Sequence, residues 1–261
     1  MKNVAIIALV CTALCSGCAT VESRPEIPSE TPPTAMEESP NSPNFETQNL
    51  SHRWTADPGI SLESVELQAV RAFQESEDFY YSSGSVHPTY SGFIDAAPYN
   101  VAETTEAFPR TGTIHNHVID VSTLTDRIGR DVTRVTFCED RSNIAEPTQN
   151  TWTVRDPGSS ITVIIVTRTD SPIVVPTLDL STRTAHPNWN TLQGWAIEQS
   201  VDFDDWFFDI SDPLDQNLVD YCTNMLRRSE PLAFPGDILT TAPEVEPFTP
   251  GWPTALDTTT G

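Results

Sequence analysis

The sequence predicts an α+β domain, and three observations carry that prediction. Leu62, Val65, Ala69, Ala72, Phe73, Ser76 and Phe79 recur at spacings of three and four, the period of a helix with one apolar face. The segments that follow either alternate apolar and polar residues or run as continuous β-branched residues. Near the C-terminus the spacing returns to that of a helix. One helix followed by consecutive strands implies an antiparallel sheet rather than alternating βαβ units.

Taken in order, the first helix is expected over residues 62–81. Ser61 is its predicted N-cap, with a hydroxyl able to accept one of the orphan N–H groups of the first turn. Ser82, Ser83, Gly84 and Ser85 end it. Short helical or turn segments are expected over 88–93 and 98–108. A strand over 113–121 sets Ile114, Asn116, Val118 and Asp120 on one face and His115 and His117 on the other. Residues 132–138 alternate in the same way, and 161–169 form a β-branched run suited to a central strand. Shorter strands are expected at 152–154 and 194–197. The last helix is predicted over 213–228, where Pro213 suits the first turn and Leu214, Leu218, Tyr221, Cys222 and Met225 form a stripe. Arg227 and Arg228 fall where cations complement the helix dipole.

The chain has 261 residues, with 14 Lys and Arg against 37 Asp and Glu, for a formal net charge of -23. Such a surface has little with which to neutralise phosphates, which excludes nucleic acid as a partner. It equally excludes a polybasic hold on anionic lipid headgroups. The hydrophobic fraction of 38% lies below the roughly 45–50% of globular chains, so part of the sequence is expected to stay outside a core.

Lys2 precedes an apolar run over residues 4–14, which is short of the ~20 residues needed to span a bilayer as a helix. It reads as the h-region of a signal peptide over 1–17. The sequence Leu14-Cys15-Ser16-Gly17-Cys18 resembles a bacterial lipobox, with small residues before a cysteine that becomes the lipidated N-terminus. Cys15 is an alternative anchor, but it would have Leu14 before it in place of a small residue. A soluble secreted chain is the other alternative. Lipidation of Cys18 with a diacylglycerol would bury two long, palmitate-like acyl chains and hold the protein on the extracytoplasmic face of the cell membrane. Residues 18–59 read as a disordered tether rich in Pro, Glu and Ser, with Pro25, Pro28, Pro32, Pro33, Pro40, Pro43 and Pro58 and little apolar periodicity. The folded domain is expected over 60–230. Residues 231–261 read as an irregular, Pro-rich tail that Phe234, Phe248 and Trp252 could pin to the domain.

The order of a long helix, short helices and then strands, together with Val135-Thr136-Phe137-Cys138-Glu139-Asp140-Arg141-Ser142, resembles actinobacterial lipoproteins with an NTF2-like domain. In those, a strand ends in a Cys followed by an acidic residue and a Ser, as in Cys138, Asp140 and Ser142. The resemblance implies a cone: a long N-terminal helix packed on a curved antiparallel sheet around a pocket, here with an extra C-terminal helix.

Once Cys11 and Cys15 leave with the signal and Cys18 takes the lipid, Cys138 and Cys222 remain. An even pair in an exported chain predicts a disulfide, with two buried free thiols as the alternative. His115 and His117 share a strand face and could supply two zinc ligands, or simply an exposed pair of imidazoles. Asp202, Asp204, Asp205, Asp209, Asp212, Asp215 and Asp220 crowd one stretch around Trp206, Phe207 and Phe208. The stretch lacks the order of a calcium loop and reads as a solvated acidic face or an interaction edge, its aromatics as anchors.

Nucleophile-elbow, phosphate-loop and zinc-protease signatures are missing from the sequence, and no cofactor is expected. The expected function is therefore a non-catalytic binding or interaction module. Its expected partner is a cell-envelope protein or a small apolar ligand. The alternatives are a small-molecule enzyme of the NTF2-like class, with Asp120, His87 or Tyr90 in the pocket, or a phage-encoded lipoprotein that excludes superinfection.

Overall fold

The computed structural model describes residues 49–154, 159–173, 176–202, 217–218, 220–222, 224 and 235–256. These residues build a sheet-dominated domain. Strand β1 (Leu50–Ala56) comes first, followed by helix α1 (Val65–Ser83) and the single turn α2 (Phe93–Ala96). Strands β2 (Thr111–Thr125), β3 (Asp131–Asp140), β4 (Ile144–Thr148), β5 (Thr151–Val154), β6 (Ser159–Arg168), β7 (Leu178–Thr184) and β8 (Trp195–Asp202) follow. Two short strands close the chain, β9 (Ile238–Leu239) and β10 (Trp252–Ala255). Residues 217–218, 220–222 and 224 are helical.

The principal sheet has eight strands in the order β8-β6-β3-β2-β4-β5-β9, with β1 added alongside β2. Its registers reveal a simpler plan. The β3–β6 ladder runs from Thr133↔Val166 to Asp140↔Ser159, and the β4–β5 ladder continues in the same register from Ala145↔Val154 to Thr148↔Thr151. Strands β3 and β4 thus behave as one long bent strand, and β5 and β6 as its hairpin partner. Their turn is Gln149-Asn150, with Gln149 in the left-handed region (φ 50). Long β2 lies against the β3/β4 strand on one edge and against β1, in parallel, on the other. Gly112 makes the β2–β4 approach: with φ 127, a Cβ there would lie 1.8 Å from the Asn143 carbonyl oxygen. A separate pair, β7 with β10, brings the C-terminal segment back to the domain.

Helix α1 starts at Ser64, whose hydroxyl accepts the Leu67 N–H (3.3 Å). It ends at Gly84, left-handed with φ 69, whose N–H returns to the Tyr80 carbonyl (2.8 Å). A side chain at Gly84 would strike the Thr105 carbonyl at 2.8 Å, so glycine is needed there for space as well as for φ. The main core gathers Leu67, Val70, Phe73 and Phe79 of α1 with Trp54, Ile114, Val118, Val135, Phe137, Ile164, Trp195 and Trp252. On the opposite side of the sheet, Cys138 is bonded to Cys222 across a sequence separation of 84, beside Ile119, Ile161 and Leu218.

These observations correct the predicted architecture. The domain is not an NTF2-like α+β cone of a long N-terminal helix on a curved sheet with an extra C-terminal helix. Among the described residues strand outweighs helix, the principal sheet is largely antiparallel, and the first pairing is parallel. The physical reason lies at the two ends of the domain. Residues 50–56 were expected to be tether, yet Leu50, His52 and Trp54 alternate into the core as β1. Residues 238–239 and 252–255 were expected to be irregular, yet both pair as strands. In each segment prolines and inward-facing polar residues mask the period of two. The N-cap also moves from Ser61 to Ser64.

Candidate functional site

Arg71, Gln74, Glu75 and Asp78 stand at i, i+3, i+4 and i+7 of α1, the spacing at which a packed helix ordinarily buries apolar residues. All four are buried, and they face β1, β3 and the C-terminal segment. Burying charge is costly unless it is paired and hydrogen-bonded, so their partners define the site.

Glu75 is 0% exposed and sits among aromatic donors. Trp54 Nε1 donates to its Oε1 and Trp252 Nε1 to its Oε2, both at 3.0 Å. The Tyr90 hydroxyl donates to Oε2 at 2.5 Å. Arg71 Nη2 lies 3.9 Å from Oε1, donates to the Pro250 carbonyl at 2.9 Å, and holds its guanidinium 4.4 Å from the centre of the Trp252 ring. Burial raises the Glu75 pKa, and Arg71 with the three donors offsets only part of that. Tyr90 is pushed up by burial and by the Glu75 carboxyl it serves. Since the Tyr90 proton points to Glu75, the phenol oxygen is free to accept from His186 Nδ1, 3.2 Å away. His186 reaches the surface, so a hydrogen-bonded line runs from the buried carboxyl to solvent.

A second group adjoins it. Arg141 donates to both oxygens of Asp78 (2.8 and 3.2 Å) and through Nε to Glu139. Gln74 Nε2 donates to Glu139 Oε2 at 3.2 Å. His52 Nε2 lies 3.6 Å from Asp78 Oδ2, and His52 Nδ1 is 3.2 Å from Asn116 Nδ2. Burial alone would raise Asp78, but Arg141 and His52 more than offset it and hold the carboxyl below its usual range. At His52 it is burial that wins. Burial pulls it down to about 4 against the attraction of Asp78, so at neutral pH it is an uncharged imidazole inside the domain.

Of the residues singled out by sequence, Cys138 and Cys222 are joined. Tyr90 is brought to Glu75, whereas Asp120 lies on the surface paired with Arg134 (3.2 Å) and Ser122 (2.9 Å). His87 is exposed on the loop after α1. His115 and His117 share a face, as expected. His115 faces Glu246 (3.5 Å), while His117 contacts Thr55 Oγ1 (2.7 Å) and Asp57 Oδ1 (3.1 Å). Among the described residues, no group of three or more His, Cys, Asp or Glu is arranged to hold a metal ion. Asp202 closes β8, its backbone paired with Thr162. Cys18, Asp204, Asp205, Trp206, Phe207, Phe208 and Asp209 lie outside the described residues.

The Cys138–Ser142 motif divides its roles: Cys138 is bridged, Asp140 Oδ1 accepts the Ser142 N–H (2.9 Å), and Glu139 and Arg141 reach the α1 charges. Sequence reasoning did not single out Arg71, Glu75, Asp78 or Arg141. The available signal was the run of charges at stripe spacing within the helix.

A shallow hollow of about 420 Å³ opens elsewhere, lined by Ile94, Ala97, Pro98, Tyr99, Asn100 and Val101. Comparison with protein-family models, curated proteins and solved structures finds no match to this chain. The functional reading therefore rests on the chemistry of these residues.

Proposed function

We propose that this protein is a lipid-anchored, extracytoplasmic interaction module that recognises a cationic cell-envelope partner through its outer surface, without catalysis. One observation carries the reading. The buried carboxylates Glu75, Asp78 and Glu139 are bonded to protein donors and lie under Trp54, Trp252 and Arg141. Charges held in this way cement the helix to the sheet, which leaves recognition to the surface. The disulfide supports the extracytoplasmic part, because such bonds persist in oxidising compartments. Ser16-Gly17-Cys18 supports the anchor. The net charge of -23 supports a cationic partner, steered by charge and weakened by salt.

Two measurements on expressing cells test the reading. Mass spectrometry should find a diacylglyceryl-modified Cys18 as the mature N-terminus, and Cys18→Ser should release the chain from the membrane fraction. Cross-linking on intact cells should trap one discrete adduct whose yield falls as salt is raised. An unmodified N-terminus elsewhere ends the anchor; monomer alone at every salt concentration ends the interaction module. A second reading, acid–base catalysis, is favoured only by the Glu75–Tyr90–His186 line reaching solvent.

A further inference from the structure

The end of α1 and the connection to β2 form a surface of a particular kind. Tyr81, Ile94 and Phe108 are 39%, 53% and 44% exposed, large apolar groups left in water on one stretch of chain. They are held in place. The Tyr81 ring packs on Tyr80 (5.2 Å between centroids), Tyr80 on Phe93 (6.0 Å) and Phe93 on Phe73 (5.7 Å), a ladder from core to surface. Phe108 is fixed beside the helix end by its N–H, which donates to the Tyr81 carbonyl at 2.8 Å. Tyr99 adjoins Tyr81, donates its hydroxyl to Glu77 at 2.7 Å, and with Ile94 lines the 420 Å³ hollow.

The exposed charges that this stretch carries are acidic, and the cation that follows it, Arg110, is turned to Glu146 (3.9 Å). Between Arg71 and Arg110 the sequence contains no Lys or Arg, while Glu77, Asp95, Glu103 and Glu106 lie on it, the last three exposed. The strand-like contact Ser85↔Thr104 sets residues 103–106 beside the end of α1, next to the tyrosines.

We infer that this face, Tyr81, Ile94, Tyr99 and Phe108 rimmed by Asp95, Glu103 and Glu106, docks an arginine-rich peptide segment of a protein partner. Guanidinium groups stack on tyrosine faces and pair bidentately with carboxylates, and their planar fork suits both contacts better than a lysine ammonium does. Rigid aromatics anchored in a core are the side chains that commonly dominate such interfaces. An anionic lipid surface or a nucleic acid would be repelled by the same rim. The inference rests on the interaction reading above and supplies its surface and the chemistry of its partner.

The full chain, purified from expressing cells, can be titrated with a fluorescent peptide of alternating Arg and Gly and followed by anisotropy. Binding should appear at low salt and weaken as salt rises. A Gly-Asn peptide of the same length should not bind. Tyr81→Ala with Phe108→Ala should weaken binding about tenfold, two exposed aromatic contacts of about 0.5–1 kcal/mol each. Asp95→Asn with Glu103→Gln and Glu106→Gln should flatten the salt dependence. Should the aromatic pair fail to fold, Ile94→Lys places a cation on an already exposed position and should abolish binding with the melting temperature unchanged.

No binding by the unaltered chain, or binding untouched by all three patch variants, overturns the proposal. Loss of binding only in Asp204→Asn with Asp205→Asn and Asp209→Asn overturns this surface while leaving the interaction module intact. The module itself is read independently by the cellular cross-link.

Discussion

Trp54 and Trp252, from opposite ends of the folded chain, donate their indole N–H groups to the two oxygens of one carboxylate, Glu75. Between them they fix the first strand and the C-terminal segment to the same turn of α1. The backbone repeats the link, because Trp54 N–H donates to the Thr249 carbonyl and Thr249 N–H to the His52 carbonyl. The free edge of β1 is thereby covered by the chain's own C-terminal segment, one of the ways in which sheets avoid edge-to-edge association.

Trp252 is consequently expected to be a stability residue rather than a tail ornament. Trp252→Ala removes a fully buried indole, the Glu75 bond and the face under Arg71, and should cost about 3–5 kcal/mol in urea unfolding. Trp252→Phe keeps most of the volume and isolates the lost hydrogen bond, at about 1–3 kcal/mol. A wild-type unfolding midpoint in Trp252→Ala would remove the segment from the fold's cement.

Glu75→Gln tests the buried charge itself. The amide cannot accept from all three donors, and it leaves Arg71 as a buried cation without its counter-charge. Breaking one side of such a pair costs about 3–5 kcal/mol. Glu75→Leu combined with Arg71→Met removes both charges and should recover part of that loss. A double variant no better than Glu75→Gln would show that the bonds to the two tryptophans and Tyr90, not the charge pair, carry the stability.

The pH dependence follows from His52. Its folded pKa, about 4, lies below the 6.5 of an unfolded histidine, so between these values the unfolded chain binds the extra proton. Stability from this residue is therefore full above pH 6.5 and is lost as pH falls toward 4. The loss is about 3 kcal/mol at about 1.4 kcal/mol per pH unit. Asp78 adds its own loss at lower pH, since its folded pKa is depressed, while Glu75, with a raised folded pKa, favours the folded state on the acid side. Comparing wild type with His52→Gln isolates the histidine contribution. Wild type should lose more stability than the variant between pH 6.5 and 4, and parallel curves would contradict the burial of a neutral imidazole.

The sequence made the middle of the fold legible and hid its ends. Residues 113–121 and 132–138 show the alternation because most of their inward positions, Ile114, Val118, Val135 and Phe137, are apolar, with Asn116 the buried polar exception, and both stretches fall within strands. In β1 the inward set is Leu50, His52 and Trp54. A buried histidine breaks the pattern, and Pro43 and Pro58 on either side make the stretch resemble linker. The site was hidden by the same effect. Arg71, Glu75 and Asp78 are residue types that normally mark the wet face of a helix, and only their tertiary partners, distant in sequence, make their burial tolerable. The cysteine pair was legible because its inference needs only parity and compartment, not geometry.

The Cys138–Cys222 bond closes a long loop and holds the helical residues within 217–224 against the back of the sheet, beside Ile119 and Ile161. Chain-entropy arithmetic gives such a closure at most about 4.5 kcal/mol. Cys138→Ser with Cys222→Ser should lower the unfolding free energy by up to this amount. It should also speed amide exchange at Leu218 and Cys222 far more than in Val65–Ser83, whose contacts lie on the other face. Uniform acceleration through both segments would mean that the bond stabilises the whole domain and not the C-terminal attachment.

The acidic stretch bears on the same partner from another direction. Seven aspartates fall between 202 and 220 of the sequence, interleaved with Trp206, Phe207 and Phe208, the same pairing of carboxylate and aromatic residue types that the Tyr81–Phe108 face presents. If the stretch recognises a cationic partner, Asp204→Asn with Asp205→Asn and Asp209→Asn should reduce the yield of the cellular cross-link while leaving the unfolding midpoint unchanged or slightly raised, since like-charge repulsion is relieved. If the aspartates act only as a solvated edge, the midpoint rises in the same way but the cross-link is unaffected. Because the stability effect is common to both cases, the adduct yield decides between them.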